Sequence, residues 1–388
     1  MKHEIAPTPT FEDPRFRSCV RCLFNETVPG IEFGVNGQCS FCDLHDQMND
    51  QYPIGKAGEA RLKQIVAEMK AAGTGKEFDC VVGVSGGCDS SKLVHELVTR
   101  GLRPLAFHFD NTWNSSIATN NIYTVLDQLN VPLETYVADN HEYDDLTRSI
   151  FEAGVPEIDG PTDLALTTVG YQTAIRHGVK YLIEGHSFRT EGVSPLGWIY
   201  FDGRYILNIH KQFGKQPMNR FPNLPMIQFL RWAAVSGIRR VRPLYYVDYH
   251  KERTKEFLTR EYGWQWYGGH HLENRLTAFA HTYYLPQRFG LDFRFIELSG
   301  RVRSGQLSRE EASSEFHDGC SYDPSLVDLV KKRLGYSESK WNELMNAPLR
   351  YYFDYPNYKR LFRLLRPVFW VLYKLNRVPR TFYVKWCT

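Results

Sequence analysis

The sequence predicts an α/β fold: a doubly wound parallel sheet, preceded by a small zinc-ribbon-like cysteine module and followed by a mainly helical region. Three observations predict it. Short β-branched strands alternate with helical segments between residues 78 and 184, four thiols pair up near the N-terminus, and the strand signal fades beyond residue 260. Alternation of this kind implies βαβ units, because parallel strands need crossover connections. At roughly 150 residues per domain, 388 residues suggest two or three domains. The expected divisions are 1–55 for the cysteine module, 56–262 for the sheet domain and 263–388 for a C-terminal substrate or partner region.

The elements follow in order. Leu62, Ile65, Val66 and Met69 recur at helical spacing over 58–72, and Gly73 and Gly75 stop that helix. Residues 78–84 form a short apolar run closed by Ser-Gly-Gly, which reads as the first strand. Leu93, Val94, Leu97 and Val98 share one face of a helix over 90–99. Strands are then expected at 104–110, 133–138 and 180–184, with helices at 117–129 and 167–177. Farther on, Ser308 and Glu311 fit a capping box.

Composition excludes several classes. Hydrophobic residues make up 43% and charged residues 23%, so neither disorder nor collagen-like repetition is expected. A formal charge of +3 gives no general reason to expect nucleic-acid binding. A mean hydropathy of −0.41, with no apolar run near the ~18 residues of a membrane span, argues against one. The start, MKHEIAPTPTFEDP, lacks the apolar core of a signal peptide and the Arg/Ser bias of a transit peptide, so a cytoplasmic location is expected.

Two motifs carry chemistry. Cys19-x2-Cys22 and Cys39-x2-Cys42, sixteen residues apart, can place four thiolates tetrahedrally around a structural Zn²⁺. The alternative is four reduced cysteines in a small core. His45 could replace a ligand, but an exposed histidine nearby is the plainer expectation. The second motif is Ser85-Gly86-Gly87-Cys88-Asp89-Ser90-Ser91, between a strand and a helix. Adjacent glycines allow a tight turn that presents N–H groups at a helix start, where the dipole favours anions. Ser85, Ser90 and Ser91 add hydroxyls, and Asp89 can hold a Mg²⁺ that bridges phosphate oxygens. An ordinary glycine turn capping a helix is the alternative. After the fourth strand, Gly185-His186-Ser187-Phe188-Arg189-Thr190-Glu191 faces the crevice at the carboxyl end of the sheet. There Arg189 suits a phosphate or carboxylate and Glu191 suits Mg²⁺ or general-base work, unless the two form a surface pair.

The Ser-Gly-Gly-x-Asp-Ser loop resembles the pyrophosphate loop of the PP-loop ATP pyrophosphatases, whose fold resembles the adenine nucleotide alpha hydrolases. Phe107-His108-Phe109-Asp110, ending the second strand, and Arg242-Pro243-Leu244, before a polar helix from His250, are similar to further segments of that superfamily. A narrower resemblance covers nearly the whole chain: the N-acetyl sugar amidotransferases of bacterial surface-polysaccharide and flagellin-glycan pathways. It rests on the cysteine pairs, the loop and a late block, Gly263-Trp264-Gln265-Trp266-Tyr267-Gly268-Gly269-His270-His271-Leu272-Glu273-Asn274. The block continues as Tyr283-Tyr284-Leu285-Pro286, Phe289-Gly290-Leu291-Asp292 and Ser304-Gly305-Gln306-Leu307-Ser308. His270 stands where that family typically has lysine.

The resemblance implies ATP and Mg²⁺ as cofactors beside structural Zn²⁺. It implies an ATP site at Ser85, Gly86, Gly87, Asp89, Ser90, Ser91, Asp110 and Gly185. Asp89, Arg189, Glu191 and His271 are the expected catalytic residues, and His270, Glu273 and Lys251 the expected substrate or ammonia contacts. The implied reaction converts an acetamido group of a nucleotide-linked N-acetyl sugar to acetamidino, in O-antigen (LPS) or flagellin-glycan biosynthesis. A glutaminase needs an activated cysteine. Met1 is followed by Lys2, and Cys320 lacks the glycine expected after such a nucleophile, so a separate glutaminase partner is expected to supply ammonia. Two rivals remain open. One is a tRNA-thiolating enzyme, disfavoured because no cysteine lies between Cys88 and Cys320. The other is an ATP-binding scaffold of a glycan assembly complex. Sugar specificity is expected within 197–225. The tail after Asp354 has eight Lys/Arg and no acid, and reads as a solvated helical surface, a polyanion contact or a weak membrane-surface contact.

Overall fold

A computed structural model describes residues 15–195, 198–269, 271–318 and 322–387. His270 and Cys320 lie outside the described residues. Five parallel strands form one sheet: β1 (Cys80–Gly83), β2 (Pro104–Asp110), β3 (Leu133–Val137), β4 (Tyr181–Ile183) and β5 (Arg239–Val241). Their order, β3-β2-β1-β4-β5, is that of a doubly wound sheet. The chain winds outward from β1 through β3, then returns to place β4 on the other side of β1. The loops after β1 and β4 therefore diverge, opening a crevice between them.

Period-two alternation assigns each face of the sheet. Cys80, Val82, Ala106, Tyr181 and Ile183 pack on one side against α2 (Gly55–Ala72), α3 (Cys88–Thr99) and α4 (Ser116–Gln128), whereas α1 (Ser40–Gln51) packs with the cysteine module. Val81, Leu105, Phe107, Phe109 and Leu182 belong to the second core, with α5 (Asn140–Ala153) and α6 (Gly160–Arg176). Helix α6 begins well before the expected residue 167, because Pro161 sits at its first turn, where a missing N–H costs nothing. Strand β5 is short and basic, with neighbours on one side only, which is why its pattern does not read as a core strand.

After β4 come α7 (Gly203–Phe213), α8 (Met226–Leu230) and α9 (Lys251–Tyr262). Helix α10 (Arg275–Phe279) runs into a π-helical stretch, Ala280–Phe289, that contains Pro286. Proline cannot donate the usual backbone bond, and the wider π turn absorbs that defect. The remaining helices are α11 (Arg294–Arg303), α12 (Arg309–His317), α13 (Pro324–Leu334), α14 (Glu338–Asn346), α15 (Lys359–Leu364), α16 (Arg366–Lys374) and α17 (Arg380–Cys387). The capping box at Ser308 and Glu311 is present. Among the described residues, no helix is long and apolar enough to cross a membrane.

The cysteine module shares the main core rather than standing apart: Phe24 stacks on Phe295 of α11 at 5.2 Å. Arg189 clamps the same junction. Its guanidinium donates to the Tyr52 and Tyr245 carbonyls, each at 2.7 Å, and to Asn49 Oδ1 at 3.0 Å. Replacing it leaves buried acceptors unmade, at about 1–3 kcal/mol each. Arg189→Met is expected to lower the urea-unfolding free energy by about 2–4 kcal/mol. An unchanged midpoint and slope would refute the clamp.

Candidate active site

The Ser85–Ser91 loop is held from three directions. Gly87 caps α3 in extended conformation, while Gly86 has φ of +79°. A Cβ at Gly86 would sit 2.1 Å from the Ala118 carbonyl oxygen, so only glycine fits. Within the loop, the Ser85 N–H donates to Ser90 Oγ at 3.3 Å and the Gly87 N–H to Ser85 Oγ at 3.3 Å. The Gly86 carbonyl accepts from Trp264 Nε1 at 3.0 Å and Asn121 Nδ2 at 3.2 Å. Residues 264–269 and 271–274 thus strap the loop in place. Antiparallel pairing of Asn274 with Asn114 anchors the strap's end.

That strap puts a carboxylate on the loop. Ser85 Oγ donates to Glu273 Oε1 at 3.1 Å, and Glu273 Oε2 is buried without a hydrogen-bond partner. Glu273 is 8% exposed. Asp89, in the first turn of α3, accepts from the buried Tyr249 hydroxyl. Burial and the Asp89 charge hold the Tyr249 phenol well above its ordinary pKa, so it stays a donor.

The β4 loop supplies the opposite wall. Glu191 Oε1 accepts from the Ser187 N–H at 2.8 Å, while Oε2 lies 3.8 Å from His186 Nε2 and 3.9 Å from His271 Nε2. Burial, then the Asp89 charge, push Glu191 up to about 8. Burial, reinforced by Arg242, pulls His186 down to about 3. Burial opposes the Lys251 charge, but Glu297, Asp89 and Glu191 outweigh it and raise its pKa; its ammonium lies 3.6 Å from Glu297.

A cavity of about 850 Å³ joins these walls, large for a ligand pocket. Its lining takes in Ser85, Gly87, Asp89, Ser90, Gly185, Glu191, Lys251, His271 and Glu273. It also includes a cluster of Asp159, Asp163, His281 and Lys385, termed the second chamber. Burial and neighbouring Asp163 push Asp159 up to about 7, and burial pulls His281 down to about 3. Their 3.6 Å contact is therefore no ion pair at neutral pH. Burial also lowers Lys385 to about 8, against the pull of Asp163 and Glu157.

Several expectations need correction. Arg189 is not among the cavity-lining residues, since its three donors are bound at the α1 junction. Asp110 accepts from the Thr112 N–H at 2.7 Å and caps a turn, while Phe107, His108 and Phe109 reach the cavity. Gly86 and Ser91 support the loop from behind rather than lining the cavity. His45 is buried against Phe188, not exposed. Of segment 197–225, Ile199 and Phe201 line the cavity. Sequence reasoning missed His186, Asp159, Asp163 and His281 as cavity groups. The Asp159-Gly-Pro-Thr-Asp163 string carries a helix-start signal that could have found two of them.

Four buried thiols form a separate centre. Cys19 and Cys42 sulfurs lie 3.8 Å apart, Cys22 and Cys39 3.8 Å, and Cys39 and Cys42 3.7 Å. Thiolates about 2.3 Å from one ion at tetrahedral corners are about 3.8 Å apart, so the set fits a metal. Amide N–H groups of Arg21 and Cys39 point at Cys19 Sγ, and Arg303 Nη2 reaches Cys22 Sγ at 3.1 Å. Such donors offset thiolate charge.

Residues 273–368 match the family described as LPS biosynthesis protein WbpG-like, C-terminal domain. That match begins at Glu273, whose carboxylate accepts from Ser85. No curated protein matches the chain. Among solved structures the chain is similar to NMN synthetase from Francisella tularensis, at 13% identity over 76% of this chain and 97% of that one, with a TM-score of 0.33. It is similar to NH3-dependent NAD synthetase from Campylobacter jejuni, at 13% identity, 76% and 97% coverage and a TM-score of 0.32. It also resembles the U34-tRNA thiolase NcsA from Methanococcus maripaludis with its [4Fe-4S] cluster, at 11% identity, 73% and 82% coverage and a TM-score of 0.30. The assignment of fold rests on strand order and register rather than on these scores.

Elemental analysis of the purified chain is expected to find one bound metal ion per molecule. Cys39→Ser should lower that occupancy and depress the melting temperature by several degrees, because the centre is part of the core. Full metal content in the variant would refute a four-thiolate site.

Proposed function

We propose that this chain is an ATP-dependent amidotransferase of the PP-loop type that converts the acetamido group of a nucleotide-linked N-acetyl sugar to acetamidino, with ammonia from a separate glutaminase. One observation carries the reading: a single cavity joins the phosphate loop to a chamber lined by titrating acids and neutral histidines. The WbpG-like match supports a role in surface polysaccharide synthesis.

The chemistry runs in two steps. The acetamido oxygen attacks the α-phosphorus of ATP, the bond to the β-phosphate breaks, and pyrophosphate leaves from an O-adenylyl imidate. Ammonia then adds to the imidate carbon, the carbon–oxygen bond breaks, and AMP departs with the former amide oxygen. One proton is released over the sequence. The loop N–H groups and the start of α3 face the leaving pyrophosphate. Glu191 is placed to take the proton, with a pKa near the working pH where a base is most effective. Lys251 and the Ser85 and Ser90 hydroxyls orient the phosphates.

Mg²⁺ fits the donor set, because Glu273 carries an orphaned buried oxygen and Asp89 faces the same cavity. An ion held there would neutralise pyrophosphate charge. The four thiolates would hold Zn²⁺ in a structural role, since they fill its coordination sphere. Buried Cys88, pushed up to about 12 chiefly by burial, is poorly suited to persulfide chemistry, which disfavours the tRNA-thiolation reading.

Glu273→Gln gives a test whose sign changes with the metal. Mg²⁺–ATP should bind about tenfold more weakly, as expected when a ligand-shell contact is lost. Metal-free ATP should bind more tightly, since the loop no longer presents a negative charge. Weakening of both would mark Glu273 as structural.

The reaction itself is tested with α-labelled ATP, Mg²⁺, ammonium chloride and a panel of nucleotide-linked N-acetyl sugars. AMP and pyrophosphate should form only with the right sugar, which gains NH in place of O. The rate should climb as Glu191 loses its proton, through about pH 8, and Glu191→Gln should abolish that limb. Formation of ADP would overturn the loop assignment.

A further inference from the structure

The C-terminal helices expose an organised surface. Helices α15 and α16 are joined by a single residue, Leu365, and one side of them is buried: Phe362, Phe369 and Leu372. Phe369 packs on Phe229 of α8 at 6.0 Å and on Phe382 of α17 at 5.6 Å. The opposite side leaves Leu364 76%, Val368 46%, Val371 48% and Leu375 56% exposed. These positions are spaced four, three and four residues apart, the spacing of one helical face, running from the end of α15 across Leu365 and along α16 to its C-cap. Trp370, 49% exposed, flanks it. Scattered exposed aliphatics need no explanation, but an aligned stripe does.

Charge accompanies the stripe. Arg360, Arg363, Arg366 and Lys374 are exposed on the same two helices, and the chain has no acid after Asp354. An apolar stripe with an aromatic residue and flanking cations is the pattern of a helix that lies in a lipid headgroup layer. The geometry points to an anionic bilayer surface as the partner of this face, with α15 and α16 lying flat on it. A second copy of the chain would oppose cations to cations with no acid to pair them. A nucleic acid would satisfy the charge but leave the stripe in water. The helices are too short to span, so the mode is docking.

This face adjoins the cavity. Helix α17 packs on α15 through Phe382 and Phe362 at 5.6 Å, and Lys359 Nζ donates to the Lys385 carbonyl at 2.8 Å. Lys385 and its neighbour Trp386 line the cavity. Docking would place the second chamber one helix away from the membrane.

The test is co-sedimentation of the full chain with phosphatidylcholine vesicles, with or without phosphatidylglycerol. Binding is expected only with the anionic lipid and should weaken as salt rises, since each cation near such a surface adds roughly fivefold to partitioning. The double variant Arg360→Glu/Lys374→Glu should lose at least about tenfold in binding on the same scale. Leu364→Ser/Val371→Ser should also lose binding while keeping the salt response. Both pairs are exposed, so melting temperature and ATP turnover in solution should be unchanged. Equal binding to neutral vesicles, no binding at low salt, or unaltered binding by either variant would overturn the proposal. So would self-association in sedimentation that the stripe variant abolishes, because a second copy would then be the occupant.

Discussion

The site depends on how the backbone of Gly86 is pinned. Its φ of +79° and its close approach to the Ala118 carbonyl fix the turn from one side. On the other, its own carbonyl takes the Trp264 indole N–H from a residue 178 positions later. Trp264 is fully buried, so this bond is shielded from water. The Ser85–Ser91 loop is therefore not a local motif that the first βα turn completes by itself. Contacts across such separations must first meet the entropy of closing the intervening chain. The loop takes its working shape only when the strap and the C-terminal region have docked.

Neighbours decide what each buried acid does. Glu184 and Glu191 lie on the same loop, and burial favours the protonated form of both. Arg240 and Arg242 bracket Glu184 and outweigh that penalty, holding it at about 2 as a permanent anion. Glu191 faces Asp89 instead, and Lys251 and Arg242 offset the effect only in part. One carboxylate ties β5 to β4, while the other remains free to exchange a proton near neutral pH.

Legibility followed the range of the interactions involved. The strand, turn and helix around Ser85 were readable because apolar alternation and paired glycines are local signals. The full extent of α6 was not, since its first turn is polar and only Pro161 marks it. Glu191 could be placed in the crevice from the strand before it, because sheet topology directs that loop. Arg189, two residues away, could not. Its partners Asn49, Tyr52 and Tyr245 come from distant segments, and an arginine at a crevice looks the same in sequence whether it faces ligand or protein. Glu273 was legible as part of a motif, but its contact with Ser85 is a tertiary fact.

The protonation pattern bears on which nucleophile the chamber suits. An ammonium ion has no lone pair and must lose a proton before it can attack an imidate. A carboxylate of ordinary pKa is too weak a base to take that proton efficiently, and a fully charged acid cluster would hold the cation instead. At neutral pH His186 and His281 are neutral, Asp159 and Glu191 exchange protons near 7 and 8, and Lys385, near 8, keeps most of its charge. A base near 8 is matched to deprotonating ammonium. Water in the same chamber would be a far weaker nucleophile toward the imidate. Such a base is what the proposed amidation requires.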